Sequence, residues 1–176
     1  MMKKMMAIIV GLCLVSSVVN GVEPQYETSF VGFDIKQFGL GMVEGSFGEF
    51  EVSCRLTDDK ISDVRATMNI SSIDTKNKTR NRHLQKKEFF YEKKFPVITF
   101  VGGDDILVTD KELKGVLTIR GVSVPVVLPV HYEKGEAGNV IITSEGMMLD
   151  RFDYGMTSHK HLINNELVAK IRMEFK

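Results

Sequence analysis

The residues best suited to acid–base chemistry lie together in one stretch of the chain. Asp74, Arg80 and His83 place a carboxylate, a guanidinium and an imidazole near one another along the sequence. No nucleophile sits beside them, and a general base must lie within hydrogen-bond distance of the proton it removes. We therefore interpret these residues as hydrogen-bonded loop anchors or as contacts for the polar head of a ligand, and we predict no catalytic residues.

The four histidines, at positions 83, 131, 159 and 161, are scattered along the chain. His159 and His161 would fall on one side of an extended segment, but a zinc site needs three or four ligands and no further ones are evident. A solvated loop is the more frequent setting for such a pair. The chain also lacks the Gly-x-Ser-x-Gly turn of serine hydrolases. The sequence thus predicts neither a metal site nor a cofactor.

Basic side chains cluster between Lys76 and Lys87, in a protein whose 23 basic and 23 acidic residues balance. The neutral total and the lack of interleaved aromatic residues argue against nucleic-acid binding. A solvated helix face is the simpler explanation of the cluster. At the mouth of a cavity, however, the same residues could pair with a phosphate or another polar head, because a guanidinium suits such groups.

The stretch Ser71–Phe100 is the only long interval of the chain without strand-like alternation. Asp74, Thr75 and Asn77 are residues that favour helix starts, and Pro96 ends the interval. We expect a short helical insertion here that covers one end of a sheet or barrel. Such an insertion is a natural lid or mouth for a cavity.

Most of the remaining chain alternates apolar and polar residues, as half-buried strands do. About eight strands result, with the helical insertion after the third, and this spacing is typical of an all-β sandwich or barrel. An eight-stranded barrel is just wide enough to be packed solid or to hold one small ligand. Pro125 and Pro129 place their strand at a start, a bulge or an edge. Gln37 continues the apolar face of the first strand, so its amide lies inside or at the rim.

Residues 1–21 are predicted to be a cleaved signal peptide, with Lys3 and Lys4 before a short apolar run. The alternative is a single membrane anchor, but the run is short of the roughly 20 residues that span a bilayer. A mature chain that begins at Val22 would keep one cysteine, Cys54, so internal disulfides would not hold it together. The expected location is the periplasm or the exterior of the cell.

Four motifs, in the same order and covering nearly all of residues 22–176, resemble the YceI-like family. Gln37 and Asn81 depart from that family's usual His and Asp. The matching segments are Phe33-x-Ile35-x-Gln37-Phe38-Gly39 with Gly45-Ser46-Phe47-x-x-Phe50; Ser72-Ile73-Asp74-Thr75 with Arg80-Asn81-Arg82-His83-Leu84, Phe89-Phe90 and Phe95-Pro96-x-Ile98-Thr99-Phe100; Gly115-x-Leu117-Thr118-Ile119-Arg120-Gly121-Val122-Ser123-x-Pro125-Val126; and Arg151-Phe152-Asp153-Tyr154-Gly155-Met156.

This resemblance implies one domain over residues 22–176, folded as an eight-stranded antiparallel lipocalin-like barrel around an apolar tunnel. It implies a carrier that binds a polyisoprenoid, a quinone-like molecule or another long-chain amphiphile without chemistry. A homodimer and a membrane donor or acceptor protein are the expected partners. The residues predicted to contact the lipid are Phe33, Ile35, Gln37, Phe50, Val52, Arg80, His83, Leu117, Ile171 and Met173.

Two alternatives to the carrier stay open on the sequence alone. One is an exported barrel with a packed core that binds another protein. The other is an enzyme that uses the region of Arg80 and His83. A hollow, apolar interior separates the carrier from the packed module. Replacement of His83 by Ala separates it from the enzyme, since turnover would be lost in an enzyme and only ligand affinity would shift in a carrier.

Overall fold

The computed structural model describes residues 22–135 and 138–176, and the predicted signal peptide lies outside these residues. The described chain is almost entirely β-structure with one short α-helix. Its elements are β1 Phe30–Gln37, β2 Gly41–Phe47, β3 Phe50–Leu56, β4 Lys60–Asn69, β5 Ile73–Asp74, α1 Lys78–Leu84, β6 Val97–Gly102, β7 Ile106–Leu107, β8 Glu112–Ile119, β9 Val122–Pro129, β10 His131–Lys134, β11 Val140–Asp150 and β12 Ile163–Phe175.

The strands form two six-stranded sheets whose apolar faces point toward each other. The first sheet has the order β10-β11-β12-β1-β2-β5, and the second has the order β3-β4-β6-β8-β9 with β7 paired to β4. All pairings between neighbours are antiparallel. The chain passes from one sheet to the other between β2 and β3, between β4 and β5, between β5 and β6, and between β9 and β10. These crossings wrap the two sheets around a common interior.

The prediction of an all-β fold is confirmed, but the closed eight-stranded barrel is wrong. The described residues form twelve strands, and the two sheets do not join into one hydrogen-bonded cylinder. From their sequence, residues 44–56 could form one long strand, but they are divided at Gly48, whose N–H donates to Ser72 O at 3.1 Å as the chain changes sheets. Strands β5 and β7 have two residues each, which is too short to produce an alternating pattern.

The helical insertion exists but follows β5 rather than the third strand. The side-chain oxygen of Asn77 accepts bonds from the N–H groups of Thr79 and Arg80, both at 3.0 Å, and so caps the helix start. The spacing of Leu84, Phe89 and Phe90 favours one apolar helical face, but this interpretation is wrong because the helix ends at Leu84. Both phenylalanines are nevertheless buried, in the turns that follow the helix.

Strand β9 lies at an edge of the second sheet, as its two prolines predict. Pro125 pairs with Val116 and Pro129 with Glu112 across the β8–β9 ladder. A proline has no N–H to donate, so it is tolerated where that side of the strand meets no hydrogen-bonded neighbour. The edge position therefore explains both residues.

Candidate functional site

A cavity of about 510 Å³ lies between the two sheets, and we call it the tunnel. Its wall is made mainly of aliphatic and aromatic side chains from both sheets. This volume is in the range of ordinary small-molecule sites. The wall includes Val31, Val43, Val52, Ala66, Met68, Ile98, Leu113, Leu117, Met147, Leu149, Leu167, Ala169, Ile171 and Met173.

Strand β12 shows directly that the interior is hollow. Leu167, Ala169 and Ile171 face the tunnel, while Val168 and Lys170 face outward, yet all five are half-buried. Inward side chains in a packed core would be fully buried. The accessible surface of the inward residues is therefore surface that faces the tunnel.

The tunnel opens at one end of the molecule. Of its lining residues, five are exposed to solvent, and they come from only three segments. These segments are the hairpin turn 38–40 between β1 and β2, the start of α1, and the loop 151–162 between β11 and β12; together we call them the mouth. The exposed lining residues are Leu40, Asn77, Thr79, His159 and Leu162.

The opposite end of the tunnel is closed by buried side chains. Cys54, Leu128 and Phe175 line it there and all three are buried. The N-terminal segment also covers this end, since Val22 N donates to Cys54 O at 2.7 Å. A ligand would therefore enter through the mouth and extend toward Cys54.

Two glycines give the tunnel part of its width. The ring of Phe33 lies over Gly45 on the neighbouring strand, where an added Cβ would be 2.3 Å from the ring. The ring of Phe100 lies over Gly115 in the same way, also at 2.3 Å. Both rings line the tunnel. Because each glycine has no side chain, each ring can lie close to the backbone of the neighbouring strand and so projects less far into the tunnel.

The structure places nine of the ten predicted contact residues on the tunnel wall. Phe50 is the exception, since it does not line the tunnel and its ring packs edge-on against Tyr26 with centroids 5.5 Å apart. Gln37 lines the tunnel near the mouth and is half-buried, which favours its placement at the rim. Arg80 and His83 also line it, on α1. Contact between these side chains and a ligand stays a prediction.

A hydrogen-bond network fixes the position of Arg80 at the mouth. Its Nε donates to Thr75 Oγ1 at 2.8 Å and its Nη2 donates to Thr75 O at 2.6 Å. Thr75 Oγ1 in turn donates to Asn81 Oδ1, and Asn81 Nδ2 donates to Asp74 Oδ1 at 3.0 Å. The bond from Asn81 and then those from Lys76 lower the pKa of Asp74 to about 2. Asp74, at the end of β5, therefore acts as a hydrogen-bonded anchor.

The guanidinium of Arg80 keeps an unused donor face. Among residues 22–135 and 138–176, no carboxylate forms an ion pair with it and its Nη1 has no hydrogen-bond partner. The side chain is half-buried on the tunnel wall. An oriented cation without a counter-ion can accept an anionic or strongly polar ligand group.

His83 belongs to a small aromatic cluster beside Arg80. Its ring lies edge-on to Phe89 and to His159, with centroids 5.1 Å and 5.4 Å apart, while His159 stacks on Phe89. His83 Nε2 lies 2.9 Å from Glu88 Oε1. The pKa of Glu88 is lowered by a bond from its own N–H and by the bond from His83. His159, predicted to be in a solvated loop, is exposed but also forms part of the mouth.

Sequence reasoning missed two buried hydroxyl groups on the tunnel wall. Tyr154 and Ser144 are 1% and 3% exposed, and in the part of the chain that the structure describes neither hydroxyl has a hydrogen-bond partner. Burial, and then the charge of Asp153, raise the pKa of Tyr154 to about 12, so it remains a donor. Buried hydroxyls normally find a partner. The Arg-Phe-Asp-Tyr motif marks Tyr154, but not the direction of its side chain.

Arg151 is also buried, at 3% exposure, and organises the loop 151–162. Its guanidinium donates to the carbonyls of Asn164 at 2.9 Å, Ser158 at 2.8 Å and Ile163 at 3.2 Å, and to Met156 O. Burial lowers its pKa. One side chain therefore holds the loop that carries His159 and Leu162 to the mouth.

The thiol of Cys54 is expected to resist modification in the folded protein. It is 3% exposed and unpaired, and burial raises its pKa to about 12. Because the thiolate is the reactive form, a water-soluble maleimide at neutral pH should leave Cys54 unlabelled for hours, whereas unfolded protein should react fully. Peptide mapping by mass spectrometry would locate the label. Rapid labelling of native Cys54 would contradict a closed inner end.

The described residues contain no cluster of three or more His, Cys, Asp or Glu side chains that could hold a metal ion. Within the same residues, no helix has both the length and the apolar character needed to cross a bilayer.

Comparison with known sequences identifies relatives across most of the chain. Residues 23–175 match the family model of the YceI-like domain. The UPF0312 protein SAR2769 of Staphylococcus aureus (strain MRSA252) is 37% identical over 97 residues, which are 54% of this chain and just over half, 55%, of that relative. The UPF0312 protein SAS2572 of Staphylococcus aureus (strain MSSA476) is 31% identical over 144 residues, covering 76% of this chain and 81% of that protein.

Solved structures share the fold at low sequence identity. BcnA of Burkholderia cenocepacia superposes with a TM-score of 0.75 and 20% identity, covering 86% of this chain and 98% of BcnA. A polyisoprenoid binding domain from Saccharophagus degradans, implicated in plant cell wall breakdown, gives a TM-score of 0.70 and 13% identity, covering 88% and 97% of the two chains. The family match, the shared fold and the apolar tunnel agree, and the chain belongs to the YceI-like domain family.

Proposed function

We propose that this protein binds a long-chain amphiphilic lipid, a polyisoprenoid or a quinone-like molecule, in its tunnel and carries it without chemical change. The observation that supports this most is the hollow apolar space of about 510 Å³, closed near Cys54 and open at the mouth. Burial of a hydrocarbon tail is favourable by about 0.8 kcal/mol per CH₂. Polyisoprenoid binding by the Saccharophagus degradans domain agrees with this chemistry.

The shape of the interior favours a carrier over a protein-binding module with a packed core. Leu167, Ala169 and Ile171 leave surface uncovered inside the molecule, and empty apolar space lowers the stability of a protein that has no ligand for it. A hydrocarbon tail would supply the missing contacts.

The direct test is to identify the lipid that co-purifies with the protein. Native mass spectrometry of gently purified protein should show a complex heavier than the polypeptide by one lipid, and organic extraction should release that lipid for identification. A second sample, stripped and incubated with a fluorescent prenyl or fatty probe, should bind one probe per chain. Absence of both a co-purified lipid and probe uptake would favour the protein-binding module.

The polar head of the ligand is placed at the mouth, beside Arg80 and His83. The uncompensated guanidinium of Arg80 and the rim amide of Gln37 supply hydrogen-bond donors there. These groups would contribute selectivity, and the tail would contribute most of the affinity.

Substitution of Arg80 by glutamine is expected to remove a preference for charged heads. Wild-type protein should bind a prenyl phosphate about tenfold more tightly than the matching prenyl alcohol, because a charge-assisted hydrogen bond contributes about 1.5 kcal/mol. In Arg80→Gln the two affinities, measured by displacement of the fluorescent probe, should become nearly equal while that for the alcohol changes little. Arg82→Gln is the matched control, since Arg82 is exposed on the same helix and does not line the tunnel. An unchanged preference in Arg80→Gln would remove Arg80 from the head site.

An enzymatic role for this region would show a different response to mutation. His83→Ala should only shift the ligand affinity of a carrier, since His83 has no nucleophile to activate there. Conversion of the bound lipid by wild-type protein, followed by mass spectrometry and lost in His83→Ala, would instead establish an enzyme.

The cellular setting belongs to the same proposal. A carrier with residues 1–21 as a signal peptide would act in the periplasm or outside the cell, and a membrane protein would deliver or accept the lipid. Amino-terminal sequencing of the protein from the exported fraction, with Val22 as the expected first residue, tests this point.

A further inference from the structure

The mouth of the tunnel exposes apolar side chains that a soluble protein would usually cover. Phe38, Leu40 and Leu162 are 50%, 69% and 54% exposed. They come from two segments that the structure ties together, since Phe38 N donates to Leu162 O at 2.9 Å. Leu40 and Leu162 also line the tunnel, so the apolar surface continues from the outside into the interior. We call these three side chains the apolar rim.

The segments that build the mouth are basic, although the whole protein is neutral. Residues 36–43, 76–87 and 151–162 contain nine Lys and Arg residues, of which Arg151 is buried, and one acidic residue, the exposed Asp153. Lys36 lies over the ring of Phe38 at 5.9 Å, and Lys160 is exposed next to the apolar rim. The two acids nearest to α1 in sequence are already engaged, Asp74 with Lys76 and Glu88 with His83. Basic side chains therefore outnumber acidic ones in the segments of the mouth.

We propose that the mouth docks onto the surface of an anionic lipid bilayer. Exposed leucine and phenylalanine side chains would enter the boundary between headgroups and acyl chains, and the basic residues around them would pair with anionic headgroups. A lipid surface fits better than a protein partner because the apolar rim is small, exposed and flanked by the basic residues Lys36 and Lys160. The open tunnel would then face the hydrocarbon directly.

Docking in this orientation rests on the proposed function and extends it, because a long-chain lipid is nearly insoluble in water. A tail that moves from the bilayer past Leu40 and Leu162 into the tunnel would meet apolar surface throughout its path. Release would follow the same path in reverse.

Vesicle flotation tests the docking surface. Purified protein is mixed with phosphatidylcholine vesicles, with or without phosphatidylglycerol, and the floating fraction is measured. Wild-type protein should float with the anionic vesicles at low salt, and much less with neutral vesicles or at high salt. Leu40→Ser/Leu162→Ser and Lys36→Glu/Lys160→Glu should each lower binding to anionic vesicles at least tenfold. The matched control is Val101→Ser/Val116→Ser, which removes exposed apolar side chains paired on the second sheet, away from the mouth.

The outcomes separate this inference from the carrier function. Each variant is also tested for uptake of the fluorescent prenyl probe added from ethanol, without vesicles. Normal probe uptake with lost flotation in Lys36→Glu/Lys160→Glu, whose side chains do not line the tunnel, would support docking. Docking would be overturned if wild-type protein did not float, or if the mouth variants floated as well as the control. Either result would hold whatever the probe shows, and would make a protein the occupant of this surface. Failure of wild-type protein to take up the probe would count against the carrier function and would not bear on docking.

Discussion

Replacement of Ala169 by phenylalanine is expected to abolish lipid binding without unfolding the protein. Ala169 lies in the middle of β12, faces the tunnel, and is flanked across the sheet by Phe33 and Met147. A phenyl ring at this position would occupy the space of about five carbons of a tail. At about 0.8 kcal/mol per CH₂, the loss approaches 4 kcal/mol, or roughly three orders of magnitude in affinity. Probe titration and native mass spectrometry would measure it.

The matched control for this variant is Val168→Phe, on the same strand. Val168 faces outward, so the same ring is added outside the tunnel. Its binding should stay within a few-fold of wild type, and both variants should show similar melting temperatures. Undiminished binding by a folded Ala169→Phe protein would show that the ligand lies elsewhere.

Replacement of Arg151 by methionine is expected to produce the largest loss of stability. Arg151 is buried and donates to four backbone carbonyls of the loop 151–162 and the start of β12. Methionine keeps an unbranched apolar chain of similar length as far as Nε but leaves those carbonyls without donors, which costs about 3 kcal/mol or more. Urea denaturation should show a lower midpoint with little change in slope.

Arg172→Met provides the comparison for this loss. Arg172 is exposed on β12 and its guanidinium lies 3.6 Å from Glu174, so its removal should cost less than about 1 kcal/mol. Equal losses in the two variants would show that the carbonyl contacts of Arg151 contribute little. Because the loop forms part of the mouth, Arg151→Met should also weaken probe binding if the loop loosens.

The fold class can be predicted from the sequence because long strands show a clear alternation of apolar and polar residues. The last strand has the clearest pattern of the chain, and β12 is indeed the longest strand among the described residues, over Ile163–Phe175. Closure into a barrel cannot be read, because it depends on hydrogen bonds between sheet edges rather than on which residues face inward. The predicted strand count fails at Gly48 and at β5 and β7, where the elements are too short for a period to appear.

The tunnel wall is partly predictable for the same reason. The alternation of side chains along each strand predicts that Val52, Leu117 and Met173 share the inward faces, and all three line the tunnel. The helical interval predicts Arg80 and His83 at the mouth, and both also line it. Tyr154 and Ser144 cannot be found this way, because a hydroxyl in a loop or on a mixed strand gives no periodic signal. Phe50 has the parity of Val52, but it stands at the start of β3, where Tyr26 meets it from outside the tunnel.

The glycines beneath Phe33 and Phe100 bear on which lipids such a protein can accept. Any side chain at Gly45 or Gly115 would tilt the overlying ring away from the wall, since even a methyl group would sit 2.3 Å from it. The tunnel would then be narrower beside that glycine, while the strands kept their register. A methyl-branched isoprenoid is thicker than a straight acyl chain, so under the proposed function an alanine at either position should weaken the binding of branched tails more than that of straight ones. The two glycines would then set the cross-section of the tail that fits the tunnel.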